Sequence, residues 1–302
     1  MDTETARGVL LGLACGDALG RPVEGWHADR IERRHGTVDS MLGNGVHHLP
    51  PGSITDDTEM ALCLARSLAE RETWDPDDAA DRFVAWARDD PTGMGGMTRR
   101  VLSRASKGED WRTAARETWA ASPEGQNAGN GSVMRCAPVA VAFAGDRERL
   151  VEASRESSRL THWDPRCVDA CAALNLAIAA AARGDDPVAS AREGLRATVD
   201  DPSEEVLTAL DRAVDGEALP VTAYVVDTLT AGAGHALAAD SAREAIVAAV
   251  NNGGDTDTVG AVAGALAGAR FGRERLPDAW LDDLEAREEL TALADDLAGL
   301  SP

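Results

Sequence analysis

Apolar residues recur every three to four positions along most of the chain: Met60, Leu64 and Leu68; Phe83 and Ala87; Cys167, Cys171, Leu174 and Ile178; Ala245, Val247 and Ala249. That period gives each segment one apolar stripe on an α-helix. Period-two alternation of β-branched residues is nearly absent, and the one short candidate strand is Val221 to Val226. The pattern predicts an all-α fold. Helix-breaking clusters fall at Pro50-Pro51-Gly52, Asp90-Pro91-Thr92-Gly93, Ser122 to Gly131, Gly184-Asp185-Asp186-Pro187, Asp200-Asp201-Pro202 and Gly216 to Pro220. These are loop lengths and not linkers, so residues 1–302 are expected to form a single domain.

Two of the helical segments carry glycine where a helix disfavours it. Glycines stand at 8, 12, 16 and 20 in GVLLGLACGDALG and at 260, 264, 268 and 272 in GAVAGALAGARFG, one stripe each. A glycine inside a helix costs roughly 1 kcal/mol relative to alanine, so something must offset two such stripes. Close approach of two helix backbones does so, and both segments are expected in the packed centre, each against a close neighbour, with the other stripe as one candidate.

Charge narrows the choice of partners. The formal net charge is −22, from 52 acidic and 30 basic residues, and Lys107 is the only lysine. Such a surface repels nucleic acid and anionic membranes, so neither is expected as a partner. Dense carboxylates with arginine as the cation also suggest adaptation to high salt, where mutual repulsion is screened. No run reaches the ~18 consecutive apolar residues of a membrane span, and MDTETARGVL has no basic stretch leading into an apolar one. A cytoplasmic protein is expected, with a monomer as the default. Cys15, Cys63, Cys136, Cys167 and Cys171 are scattered without a CxxC pair, which points to small core residues and not to disulfides or zinc.

Five segments carry candidate chemistry. SITDDTEMALCL puts Thr55, Asp56 and Asp57 at a helix start. They read as caps, with Asp56 and Glu59 at capping-box spacing, or as oxygen ligands. NNGGDTDTVG repeats the chemistry with Asp255, Thr256, Asp257 and Thr258, behind a Gly253-Gly254 pair that lets the backbone bend sharply. Two such clusters in one place would repel strongly unless cations neutralised them, and all-oxygen donors suit hard Mg²⁺, Mn²⁺ or Ca²⁺ over zinc. In NAGNGSVMRCAP the glycine turn is either generic or an anion loop, with Arg135 as a fixed positive charge. His162 in LTHWDPRC is either an incidental loop residue or a ligand contact, and Glu24 in CGDALGRPVEGW either a surface carboxylate or a group free to move.

Together these segments resemble the ADP-ribosylglycohydrolase family through GLACGDALG, TDDTEMAL at 55 to 62, GNGSVMRCAPVA at 129 to 140, THWDPRC at 161 to 167 and NNGGDTDTVGAVAGALAGA at 251 to 269. The resemblance implies an all-α fold with two divalent cations, Mg or Mn, at the base of an ADP-ribose cleft. It implies Thr55, Asp56, Asp57, Asp255, Asp257 and Thr258 as metal ligands, with Glu24 or Asp257 taking a proton from the attacking water. Gly129, Asn130, Gly131, Ser132 and Met134 match the loop around ribose and phosphates, and His162 a substrate-contacting histidine. The implied substrate is an ADP-ribosylated protein or a small ADP-ribosyl compound. Arginine-directed relatives often carry an acid shortly before a Thr-Arg pair; in MGGMTRR, Met94 stands there, so arginine, serine and O-acetyl linkages stay open. Two rival readings are a member that binds ADP-ribose without turnover, and a two-metal hydrolase of another nucleoside or phosphate ester.

Overall fold

The structure is a computed structural model, and it describes residues 1–215 and 221–300. Among these residues the chain forms α1 (Thr3–Gly20), α2 (Ala28–His35), α3 (Asp56–Arg71), α4 (Pro76–Ala87), α5 (Gly96–Ala105), α6 (Trp111–Ala120), α7 (Ala137–Phe143), α8 (Arg147–Arg159), α9 (Pro165–Arg183), α10 (Pro187–Thr198), α11 (Glu204–Asp215), α12 (Val225–Ala238), α13 (Ala242–Asn251), α14 (Thr256–Phe271), α15 (Asp278–Asp283) and α16 (Arg287–Leu300). The expected break at Gly216 to Pro220 lies outside the described residues.

No strand forms among the described residues. The expected strand at Val221 to Val226 is a turn leading into α12, with one isolated bridge between Tyr224 and Gly129. Local side-chain bonding decides this. The Thr222 hydroxyl accepts the Tyr224 amide at 3.2 Å and donates to Asp227 at 2.6 Å, which closes the chain into a helix start.

At the centre, α1 and α14 pack antiparallel with glycine facing glycine. A Cβ at Gly8 would stand 2.5 Å from the Gly268 carbonyl oxygen, at Gly12 2.2 Å from that of Gly264, and at Gly16 1.9 Å from that of Gly260. Only hydrogen fits, so the two stripes do pack against each other. The register differs from the matched sets of four. Gly20 faces Thr256, whose hydroxyl donates to the Gly20 carbonyl at 2.8 Å, while Gly272 stands past the interface at φ 75 as the helix cap. Helix packing that excludes all side chains lets the C-terminal end of α1 lie against the N-terminal end of α14. That juxtaposition builds the candidate site.

Around this pair, α12 and α13 cover α14, while α16 and α7 lie against α1, and α9 packs between α8, α10 and α14. The α9 helix is long and apolar enough to cross a bilayer, yet 83% of its apolar window is buried inside the protein. It carries Cys167, Cys171, Leu174 and Ile178 on its buried surface, and all five cysteines are buried and free.

Candidate active site

Three chain segments converge where α1 ends and α3 and α14 begin. Asp17 of α1 lies fully buried and caps α3 from outside that helix. Its carboxylate accepts the Thr55 amide at 3.0 Å and hydroxyl at 2.8 Å, and the Thr58 amide at 3.2 Å and hydroxyl at 2.5 Å. The capping box expected between Asp56 and Glu59 does not form. Glu59 instead accepts the Trp86 indole at 2.7 Å, and with Asp17 satisfying the helix start, Asp56 and Asp57 are left to face the site.

The second cluster is placed by backbone pairing. Gly25 donates to the Gly254 carbonyl at 2.8 Å and Gly254 to that of Trp26 at 2.8 Å, which sets Glu24 beside Asp255. Gly253 and Gly254 have φ of 82 and 75, and a Cβ on Gly254 would stand 2.0 Å from the Val221 carbonyl, so the pair is needed for the close approach. On the other side of Glu24, fully buried Arg21 donates to the carbonyls of Leu42, Asn44, Pro50 and Ser53, stitching that loop to the end of α1. The loop presents His47, whose Nε2 lies 3.0 Å from Glu24.

Carboxylate oxygens of Asp17, Asp57 and Asp257 lie within 4.8 Å of one another, and so do those of Glu24, Asp255 and Asp257. Asp257 belongs to both groups. Burial first pushes the carboxyls of Asp57 and Asp257 well up, followed by the charges of Asp17, Asp56 and Asp255 at Asp57 and of Asp255, Asp57, Glu24 and Asp17 at Asp257; burial, then Asp17, Glu24 and Asp255, pushes Asp56 up to about 8. Burial also raises Asp17. The residues fit hard divalent cations: the donors are all oxygen, the helix starts of α3 and α14 offer only partial compensation, and Asp57 Oδ1 is buried without a hydrogen-bond partner. Thr55 is fully buried, its hydroxyl between Asp17 and Asp57 (2.8 and 3.3 Å), with a lone pair still free to ligate.

The sign of a stability dependence follows. With chelator present, the folded protein keeps protons on these carboxyls up to about pH 8 at Asp56, whereas the unfolded chain releases them near pH 4. The folded state is therefore expected to lose stability as pH rises from about 4 through about 8. Thermal melting in chelator across that range checks this. Asp56→Asn should flatten part of the slope, and a melting temperature independent of pH in both proteins contradicts the account.

The cluster floors a cleft of about 370 Å³. Its walls include Gly129, Asn130, Gly131, Met134 and His162, as expected, together with Thr98, Arg100 and Gln126, which the sequence did not single out. Larger grooves lack such a floor; one of about 880 Å³ holds the half-buried Arg7–Asp295 ion pair. Asn130 serves the acidic side, its amide donating to Asp255 at 2.7 Å and Thr228 at 2.9 Å. Thr258 lines the cleft as well, while its amide donates to Asp257 at 3.0 Å. Gly93, at φ 89, brings its loop over Asp56, where a Cβ would meet the carboxylate at 2.3 Å.

Two residues of the glycine loop stand elsewhere than expected. The Ser132 side chain is buried behind the loop and accepts from the Ser158 hydroxyl at 2.9 Å, so it offers the cleft only backbone. Arg135 is also no cleft cation. It is fully buried, over the Phe83 ring, and donates to the Gly131 carbonyl at 2.9 Å and the Thr161 hydroxyl at 2.7 Å. Desolvation explains the position: a guanidinium there is held by carbonyls and a hydroxyl, and shapes the loop from within.

That Thr161 hydroxyl lies 2.8 Å from His162 Nδ1. Donation of the Thr161 proton to Nδ1 corresponds to the tautomer with its ring proton on Nε2, which lies 3.1 Å from where a Cβ on Gly131 would stand. Burial, then Arg135 and Arg100, pushes the imidazole down to about 3, so His162 is a neutral ring on the cleft wall. Met94 is buried and does not line the cleft.

Comparison with known proteins agrees with this geometry. The family model described as ADP-ribosylglycohydrolase matches residues 2–302. The chain is 35% identical to the ADP-ribosyl-[dinitrogen reductase] glycohydrolase of Rhodospirillum rubrum, over 95% of this chain and 92% of that one. It is 29% identical to the ADP-ribosylarginine hydrolase Tri1 of Serratia proteamaculans, over 99% of this chain and 80% of that one. A solved ADP-ribosylglycohydrolase-related protein complex superposes with a TM-score of 0.81 at 36% identity, covering 99% of both chains. Helices, acidic floor and sequence agree: this chain belongs to the ADP-ribosylglycohydrolase family.

Proposed function

We propose that the chain is a divalent-cation-dependent hydrolase that releases ADP-ribose from a side chain or small compound by cleaving an N- or O-glycosidic bond at the anomeric carbon. The observation that carries this is the pair of carboxylate groups sharing Asp257 on the floor of a cleft. Thr55, Asp56, Asp57, Asp255, Asp257 and Thr258 would hold two cations, Mg or Mn. When bound, such cations neutralise the floor and polarise the ribose oxygens next to the scissile bond.

The remaining steps fall to the chain's own groups. Glu24, at the edge of the floor and held only by His47, takes the proton of the attacking water, with Asp257 as the alternative base. His162 contacts a substrate oxygen through its ring nitrogen, and the backbone of Gly129 to Gly131 borders the space for ribose and phosphates. Met134 supplies an apolar wall, and Asn130 keeps Asp255 in place. Asp17 holds the start of α3 and needs no contact with substrate. The acidic surface favours a monomer working in the cytoplasm at high salt, without nucleic acid or membrane.

Arginine-, serine- and O-acetyl-linked ADP-ribose, assayed in molar salt with Mg²⁺ or Mn²⁺, test this reading. Turnover is expected on at least one, and Glu24→Gln is expected to lower kcat by roughly 10²- to 10⁴-fold with ADP-ribose affinity retained. Tight ADP-ribose binding with no release from any substrate would instead mark a binding protein; no ADP-ribose binding at all points to a different ester or nucleoside.

A further inference from the structure

Five carboxylates line the cleft, Glu24, Asp56, Asp57, Asp255 and Asp257, and one cation answers them. Among the described residues, Arg100 of α5 is the only arginine or lysine lining it. Its neighbours are already neutralised: Arg99 pairs with Asp90 at 3.1 Å, and Arg104 with Glu109 and Glu117. Arg100 makes no ion pair among the described residues. Its Nη2 reaches only Met97 Sδ at 3.8 Å and Ser122 Oγ at 3.5 Å, both too long to satisfy a guanidinium. Nη1 lies 3.5 Å from where a Cβ on Gly96 would stand, so the bare backbone there leaves its face open. Arg100 and Gln126 also border an adjoining groove of about 580 Å³, lined by Arg99, Ser103, Arg104 and Ser122. They stand at the junction of the two spaces.

We propose that Arg100 is the residue that grips the diphosphate of the nucleotide-sugar substrate, with the sugar over the carboxylate floor and the remainder directed toward the adjoining groove. The inference rests on the proposed function and names a binding residue within the same site. A dianion entering a protein of net charge −22 meets repulsion at long range, and the planar, always-charged fork of Arg100 is the one side chain in the cleft able to offset it with two parallel hydrogen bonds. Arg135, the cation expected from sequence, is fully enclosed and cannot do so.

Calorimetric affinities of ADP-ribose, inorganic pyrophosphate and adenosine, measured at one salt concentration for the wild type, Arg100→Ala and Arg100→Lys, decide the question. Arg100→Ala is expected to weaken ADP-ribose and pyrophosphate binding about tenfold or more and to leave adenosine unchanged, with part of the loss restored in Arg100→Lys. Melting temperature should not move, since the side chain makes no ion pair. ADP-ribose affinity within twofold of wild type in Arg100→Ala overturns the assignment, and so does an equal loss for adenosine. A wild type that binds no ADP-ribose overturns the proposed function and this inference together, whereas a wild type that binds and turns over normally beside an unaffected Arg100→Ala overturns Arg100 alone. If only a polypeptide substrate loses affinity in Arg100→Ala, the residue holds the modified protein and not the diphosphate.

Discussion

Gly16→Ala is expected to cost at least about 3 kcal/mol of folding stability, the upper end of what overpacking does to a core. The added Cβ would stand 1.9 Å from the Gly260 carbonyl oxygen and 2.2 Å from its carbon. Both are backbone atoms of a buried helix, so no side chain can turn aside; α1 and α14 would have to separate, moving Asp17 away from Asp257 at the same time. Urea unfolding reads the loss as a lower midpoint, with a matching loss of activity. The control is the same chemical change at Gly299, an exposed position of α16 with nothing within 4 Å of the new Cβ. There helix propensity alone acts, and Gly299→Ala should gain up to about 1 kcal/mol. The same sign at both positions would remove the close-packing account.

Asp257→Asn is expected to abolish turnover, by about 10³-fold or more, equivalent to ~4 kcal/mol of lost transition-state stabilisation. Its oxygens take part in both carboxylate groups, so one substitution perturbs the whole floor. The expected stability effect has the opposite sign. Burial and the charges of Asp255, Asp57, Glu24 and Asp17 raise this carboxyl well above the usual range, so in chelator near neutral pH an amide of the same shape removes the cost of protonating it on folding. The variant should melt at a higher temperature than the wild type in chelator, and gain less from added Mg²⁺ or Mn²⁺. Loss of activity together with a lower melting temperature in chelator would instead make Asp257 a structural residue.

Much of the site is legible in the chain because it is built from helix ends. Thr55 to Asp57 and Asp255 to Thr258 combine capping residues with more oxygens than a cap requires, and that surplus signals a shared site. The glycine spacing likewise showed that two helices must approach closely, since eight helical glycines without compensation are hard to reconcile with a stable core. Asp17 escaped notice although a signal existed: it is the one charged residue in the run from Gly8 to Gly20, directly after Gly16. Its role depends on donors 38 and 41 residues away, which no local pattern reveals. The same holds for the two arginines. Arg135 follows a glycine turn and so suggests an anion site, while Arg100 ends MGGMTRR, a segment whose sequence draws attention to Met94 instead; only the folded chain encloses the one and opens the other.

By itself, then, the sequence determined the helical class, the two acidic helix starts, the glycine faces and the family, because period, capping chemistry and backbone sterics act over a few residues. Tertiary structure decided the register of α1 on α14, the outside cap that Asp17 supplies to α3, the fate of the Val221 to Val226 segment and the cation that faces the cleft. Those depend on desolvation and on partners far along the chain, and burial is fixed only once the helices have packed.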